Sequence, residues 1–215
     1  MIEVTNINVF NFEGAMKGMR NPMGSWDKGD TVCNFIGEAD MKLAQKLVIA
    51  GTDHSKFMRQ IFVSMDITAP IYWWKEMDTY KVGTVANSTS TMHKLSSEEI
   101  DYDDFSFDSE LDFLVLNNPK ENEYPFEFFE AIDDIILYCE SLRKRYVETD
   151  DKRYWRALIQ LLPESYNQTR TWTANYAILR NIYFARRNHK LQEWLDFCKM
   201  IESLPYGKEL ITIGE

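Results

Sequence analysis

The feature that most constrains this chain is a change in hydrophobic period partway along it. Residues 2 to 12 alternate polar with apolar side chains, and Arg59 to Thr68 does so again, with Ile61, Val63, Met65 and Ile67 on one side and Phe62, Ser64, Asp66 and Thr68 on the other. Successive strand side chains point to opposite faces, so both segments are expected as half-buried strands. From Tyr124 onward the pattern turns helical. Pro125 opens a segment through Tyr146, Lys152 to Leu162 forms a second, about Trp172 to Arg187 a third, and Lys190 to Ser203 a fourth, with Pro163 and Pro205 as punctuation. Strands mainly in the first half and helices in the second predict an α+β fold.

Between these blocks, residues 38 to 50 place Met41, Ala44, Leu47 and Val48 on one helical face, with acids in the first turn and Gly51 positioned to end the helix. GAMKGMRNPMGSWDKGD, rich in Gly, Met and turn formers, reads as a loop. Pro70 suits the first position of a helix through PIYWWKEMDTYK. Residues 96 to 112 are dense in acids with interspersed aromatics and read as a solvated loop or edge segment. No repeat, Gly/Ser linker or low-complexity tract divides the chain, so residues 1 to 215 are expected to form a single domain.

The 215 residues are enough for one sizeable core, and 45% apolar with 27% charged is ordinary globular usage. No window approaches the run of apolar residues a membrane span needs, and MIEVTNINVFNFEG lacks both the basic start and the apolar stretch of a secretory signal. A cytoplasmic protein with no membrane partner is expected. Cys33, Cys139 and Cys198 are odd in number, far apart and without C-x-x-C spacing, which suits reduced packing residues. The formal net charge of −10 argues against a nucleic-acid partner, because phosphate neutralisation needs a basic surface. A small anionic ligand in a locally basic cleft remains compatible with it, since salt screens distant charge beyond about 8–10 Å.

His54, His93 and His189 are too scattered to predict a metal site, and none is expected. The chain has no G-x-S-x-G elbow, no G-x-x-x-x-G-K loop and no G-x-G-x-x-G fingerprint, so the common hydrolase, nucleoside triphosphatase and dinucleotide-fold readings lack support. Arg143-Lys144-Arg145, near a helix C-terminus, suits the helix dipole and a solvated face.

In WTANYAILRNIYFARR, taken as one helix, Asn175 and Arg186 differ by about 20° around the axis and share a face with Trp172, Leu179 and Ile182. An inward amide or guanidinium needs a partner. Two readings follow: an internal hydrogen bond for Asn175 with a surface salt bridge for Arg186, or an anionic or heterocyclic ligand held by both.

The segment LLPESYNQTRTWTANYAILRNIYFARRNHKLQEW resembles, without a gap, the C-terminal helical region of the flavin-dependent thymidylate synthases. The matching positions are Leu162, Pro163, Trp172, Thr173, Asn175, Leu179, Asn181, Arg186 and Gln192. Upstream, ITAPIYWWKEMDTYKVGTVANSTSTMH is similar to the family's strand, helix and signature segment, R-H-R-x-x-S-x-N-E-x-S-x-R-Y. Asn87 and Ser90 fit its Asn and second Ser, and Lys81 and Thr84 are conservative counterparts of its second Arg and first Ser. Thr79 and Tyr80 stand where Arg and His are expected, Ser88 replaces Glu, Met92 replaces Arg, and one extra residue lies between Lys81 and Asn87. Gln60 takes the place of a flavin-facing His, with His54 close by, and Ile159 replaces an Arg. The resemblance covers roughly residues 50 to 205.

The resemblance implies the family's α+β fold with a mixed sheet, and reductive methylation of deoxyuridylate (dUMP) or a related pyrimidine nucleotide. Bound FAD would take hydride from NADPH, with methylenetetrahydrofolate as one-carbon donor. Arg186 would position and polarise the pyrimidine as the catalytic residue, Lys81 and Ser90 would hold its phosphate, and Asn87, Asn175, Asn181 and Tyr80 would face the flavin. A homotetramer with sites at subunit interfaces is also implied, in which Trp73, Trp74 and the Met-rich N-terminal segment would be interface, pocket or core residues. The substituted signature residues remove positive charge that holds phosphates, for which Lys17, Arg20, Arg170, Arg180 or Arg187 would have to compensate. A non-catalytic homologue binding a nucleotide or a partner is the alternative. A purely structural role, with residues 96 to 112 as the contact surface, is the third.

Overall fold

In the computed structural model, which describes residues 2–108, 111, 115, 116 and 126–214, the chain forms two compact units. One comprises Thr68–Lys75 and Ser88–Thr169, the other Ile2–Ile67, Glu76–Asn87 and Arg170–Glu215. The elements run β1 (Glu3–Phe10), α1 (Phe12–Arg20), α2 (Glu38–Ile49), β2 (Phe62–Pro70), α3 (Ile71–Met77), β3 (Val85–Ser88), α4 (Thr91–Lys94), β4 (Val115–Leu116), β5 (Phe126–Glu127), α5 (Phe128–Thr149), α6 (Lys152–Leu161), β6 (Asn167–Asn175), α7 (Tyr176–Arg186) and α8 (Gln192–Ser203). The class is α+β, as the change of period predicts. The main sheet, in the order β1-β2-β6-β3, is antiparallel, where a mixed sheet was expected. β4 and β5 form a separate antiparallel pair.

Strand β2 shows the anticipated alternation, with Val63, Met65, Ile67 and Ala69 buried and Phe62, Ser64, Asp66 and Thr68 less so. Pro70 ends this strand, and the helix starts at Ile71. Helix α2, expected over residues 38 to 50, spans Glu38–Ile49 with Ala50 as its C-cap and Gly51 next at φ 107. The first part of the segment expected as a loop, Gly14 to Arg20, instead continues α1, while the rest of it, to Asp30, is short turns. Phe12, Ala15, Met16 and Met19 recur at helical spacing and are all buried, and this packing outweighs the cost of two helical glycines, about 1 kcal/mol each.

The first unit is centred on Leu95, Ile100, Phe105, Ile136, Cys139 and Leu158, brought together by α5, α6 and the acid-rich segment. That segment is therefore only partly solvated: Ile100 and Phe105 are its anchors, and the buried Glu140 accepts from Ile100 N at 2.9 Å. Residues 109, 110 and 112 of the segment lie outside the described residues. Trp73 and Trp74 pack edge to face in this unit, centroids 5.0 Å apart and essentially without exposure.

In the second unit α7 and α8 present Tyr176, Leu179, Ile182, Trp194, Phe197 and Ile201 to the interior. Phe12 meets Tyr176 edge-on at 5.9 Å, and Trp172 meets Phe197 at 6.3 Å. The Tyr176 hydroxyl donates to Pro205 O at 2.6 Å, and burial raises its pKa above the usual tyrosine value.

Candidate functional site

The helix expected from Trp172 is the main correction. Residues 167–175 form β6, and the helix begins only at Tyr176. In NQTRTWTAN the β-branched Thr169, Thr171 and Thr173 alternate with Arg170, Trp172 and Ala174, a period-two pattern that favours a strand over a helix. Asn175 adopts an extended conformation and caps α7, its Oδ1 accepting from Ile178 N at 3.1 Å. Asn175 and Arg186 therefore do not share a helical stripe; they stand at opposite ends of α7.

Asn175 nonetheless lines a cavity. Its walls are Thr52, Ser55, Met58 and Arg59 from the segment between α2 and β2, Val82 and Gly83 after α3, and Asn175, Ala177, Ile178, Arg180 and Asn181 at the start of α7, enclosing about 350 Å³. All belong to the second unit. Asn175 is only 9% exposed. Its Oδ1 is used by the cap, while its Nδ2 makes no hydrogen bond among the described residues, leaving a donor available at the cavity wall. Gly83, at φ 77, faces it: a Cβ there would lie 3.7 Å from Asn175 Nδ2.

Two cations line the same cavity. Arg59 is exposed and has no ion-pair partner among the described residues. Arg180 is anchored, its Nη1 donating to Ile211 O and Ile213 O at 2.6 Å each and its guanidinium lying 4.5 Å from the Phe184 ring. Of the other cations considered as compensation, Arg20 pairs with buried Asp40 at 2.5 Å, Arg170 pairs with Asp78 at 2.7 Å, Arg187 stacks at 4.7 Å on Phe184, and Lys17 is exposed.

Arg186 stands in a second cluster. Its Nε donates to Tyr80 Oη at 3.0 Å and its Nη1 to Glu76 Oε2 at 2.7 Å, and its guanidinium lies 4.6 Å over Trp194 and 5.6 Å from the Tyr80 ring. Glu76 Oε2 also accepts from Trp194 Nε1 at 2.8 Å and lies 3.4 Å from His189 Nε2. A surface salt bridge was one of the two readings the sequence left open for Arg186; Glu76 supplies the salt bridge, with the Arg186 side chain only 18% exposed.

Of the sequence-derived site residues, Asn175 and Asn181 thus come together at the cavity and Arg186 and Tyr80 at the cluster. Lys81 is exposed with no ion-pair partner among the described residues, and Asn87 is exposed on β3. Ser90 belongs to the first unit and precedes α4 without a side-chain cap. Sequence reasoning missed Arg59, Gly83 and Glu76 as site residues. The dipeptide Val82-Gly83 after a helix signals a turn, but nothing local identifies the partners of Arg59 or Glu76. Among the described residues no group of three or more His, Cys, Asp or Glu is placed to hold a metal ion, and no helix is long and apolar enough to cross a membrane.

No protein-family model and no curated protein sequence matches this chain. Solved structures do. Thymidylate synthase X (ThyX) from Helicobacter pylori, with FAD and dUMP, matches at 18% identity and a TM-score of 0.68, over 99% of this chain and 98% of that one. A second structure of the Helicobacter pylori flavin-dependent enzyme, complexed with FAD and dUMP, matches at 19% identity and TM-score 0.69, over 98% of each chain. The UMP/dUMP methylase PolB from Streptomyces cacaoi, bound with 5-Br dUMP, matches at 15% identity and TM-score 0.70, over 100% of this chain and 96% of that one. The chain has the fold of the flavin-dependent thymidylate synthases.

Proposed function

We propose that this protein binds a pyrimidine nucleotide together with a flavin and reductively methylates the pyrimidine of dUMP or a related nucleotide. The observation that carries this reading is the cavity beside α7, where Asn175 and Asn181 converge and the Nδ2 donor of Asn175 has no hydrogen-bond partner among the described residues. A donor that no protein group accepts from is open to a ligand or to water. A volume near 350 Å³ lies at the low end for small-molecule sites, about 300–1,000 Å³, and suits one heterocycle rather than a whole dinucleotide.

The residues present fit a flavin ring in this respect. Asn175 and Asn181 would hold the ring, with Asn87 and Tyr80 as further flavin-facing residues, and Arg59 and Arg180 supply positive charge for phosphates. When bound, FAD would supply reducing equivalents taken as hydride from NADPH, with methylenetetrahydrofolate as the one-carbon donor. Arg186, held by Glu76 and Tyr80, would present its remaining N–H groups to a pyrimidine carbonyl, and Lys81 would take the nucleotide phosphate. Self-association as a homotetramer, with residues from more than one copy at each site, belongs to the same proposal.

A second reading, a non-catalytic nucleotide- or partner-binding homologue, is favoured by one observation: the guanidinium of Arg186 already has a carboxylate partner. The visible spectrum of the native purified protein separates the two. Flavin absorbance, present at isolation or after incubation with excess FAD, is expected; its absence in both cases discards the enzymatic reading. Thermal stabilisation by dUMP, about 2.7 kcal/mol at 100 times its dissociation constant, would then identify the non-catalytic nucleotide binder.

A further inference from the structure

Two donors converge on one oxygen of Glu76, Arg186 Nη1 at 2.7 Å and Trp194 Nε1 at 2.8 Å, and His189 Nε2 lies 3.4 Å from the same oxygen. A guanidinium carries five N–H groups. One of those on Arg186 goes to Tyr80 and one to Glu76, so Nη2 and the second hydrogen of Nη1 make no hydrogen bond among the described residues. The Arg186 side chain is 18% exposed and that of Glu76 is 37% exposed. The Arg186 head group, lying over Trp194 and hydrogen-bonded to the Tyr80 hydroxyl, is thus fixed in orientation, still able to donate, and stripped of net charge by its neighbour.

We infer that Glu76 sets the specificity of Arg186, restricting it to an uncharged acceptor edge such as a pyrimidine carbonyl and excluding a phosphate. A phosphate reaching Arg186 would bring a second anion against the Glu76 carboxylate, and like charges at that separation repel. A carbonyl oxygen meets no such penalty and takes the free N–H groups at the geometry the aromatic pair enforces. The inference rests on the nucleotide reading proposed above. It assigns the base to Arg186 and sends the phosphate to exposed cations without carboxylate partners among the described residues, such as Arg59 and Lys81.

Inorganic phosphate and uridine are the probes, titrated by thermal shift and tryptophan fluorescence against the wild type, Glu76→Gln, Arg186→Gln and the double variant. Gln keeps the shape and an acceptor oxygen but removes the charge. Glu76→Gln is expected to bind phosphate roughly tenfold more tightly than the wild type, a change of about 1.4 kcal/mol, and the double variant to lose that gain. The wild type and Arg186→Gln are expected to respond to phosphate alike. Equal phosphate affinity in the wild type and Glu76→Gln, or a gain that survives removal of Arg186, overturns the inference. So does a wild-type phosphate response that Arg186→Gln abolishes, an outcome that decides the matter even if the variants at position 76 fail to fold. Uridine should bind the wild type and be weakened by Arg186→Gln. If uridine binds none of the proteins, the nucleotide reading fails while the phosphate titrations still judge Glu76.

Discussion

Gly83 faces Ile178 so closely that a Cβ added to it would stand 2.9 Å from Ile178 Cδ1. Its φ of 77 places it in the left-handed region, where a side chain is strained whatever the space. The Gly83→Ala variant is therefore expected to lose about 1–3 kcal/mol of stability in urea titration, and to narrow the wall of the cavity beside α7. A variant as stable as the wild type would mean that the turn relaxes, and that the close approach does not shape the cavity.

Asn175 does two jobs with two different atoms, and substitutions can separate them. Asn175→Asp keeps an oxygen for Ile178 N and places a negative charge favourably at a helix N-terminus, so its melting temperature is expected to match or exceed that of the wild type. It loses the Nδ2 donor. Asn175→Ala loses the cap as well, at about 1 kcal/mol. Both variants should show weakened flavin or nucleotide binding. Normal binding by Asn175→Asp would mean that the residue is a cap and nothing more.

How far this fold could be read in the chain depended on whether the deciding interactions were local. β2 and α2 were legible because one face of each is buried and the period shows it. The start of α7 was misread by several residues because Trp172, which packs inward from the strand on Phe197, also fits the apolar period of the helix that follows. The cap at Asn175 marks the true boundary. α1 was missed because Gly14 and Gly18 suggest a loop, and its buried apolar face outweighed that local preference. At the site, Asn175 and Asn181 were found through resemblance. The partner of Arg186 was not, because Glu76 is 110 residues away and nothing near either residue encodes their meeting.

Glu140 gives a pH dependence with a defined sign. It is 6% exposed, and burial alone would raise its pKa. Arg143, at 2.6 Å from each carboxylate oxygen, the amide of Ile100 and Lys144 outweigh that effect and lower the pKa from 4.5 to about 2. A carboxyl whose pKa falls on folding contributes stability above its unfolded pKa and loses it as pH drops toward the folded one. The contribution, on the order of 3 kcal/mol, should be complete above about pH 5 and fade toward about pH 2. Urea midpoints of the wild type and Glu140→Gln should differ most near pH 7 and converge only toward about pH 2. A gap that does not change with pH would place the effect in packing rather than charge.

The two arginines of the cavity wall should behave oppositely. Arg180 ties down the carbonyls of Ile211 and Ile213, so Arg180→Gln leaves acceptors without their donor and is expected to cost about 1–3 kcal/mol. Arg59 is exposed and has no ion-pair partner among the described residues; Arg59→Gln should change stability by no more than about 0.5 kcal/mol. Its effect belongs to binding. If Arg59 supplies charge to a phosphate at the cavity rim, Arg59→Gln should weaken binding of FAD or dUMP and make the remaining affinity less sensitive to added salt, because one screened attraction has been removed. Isothermal titration at low and high salt reads both effects. Unchanged affinity and unchanged salt dependence would mean that the phosphate lies elsewhere, leaving the cavity to recognise its ligand through the amides of Asn175 and Asn181.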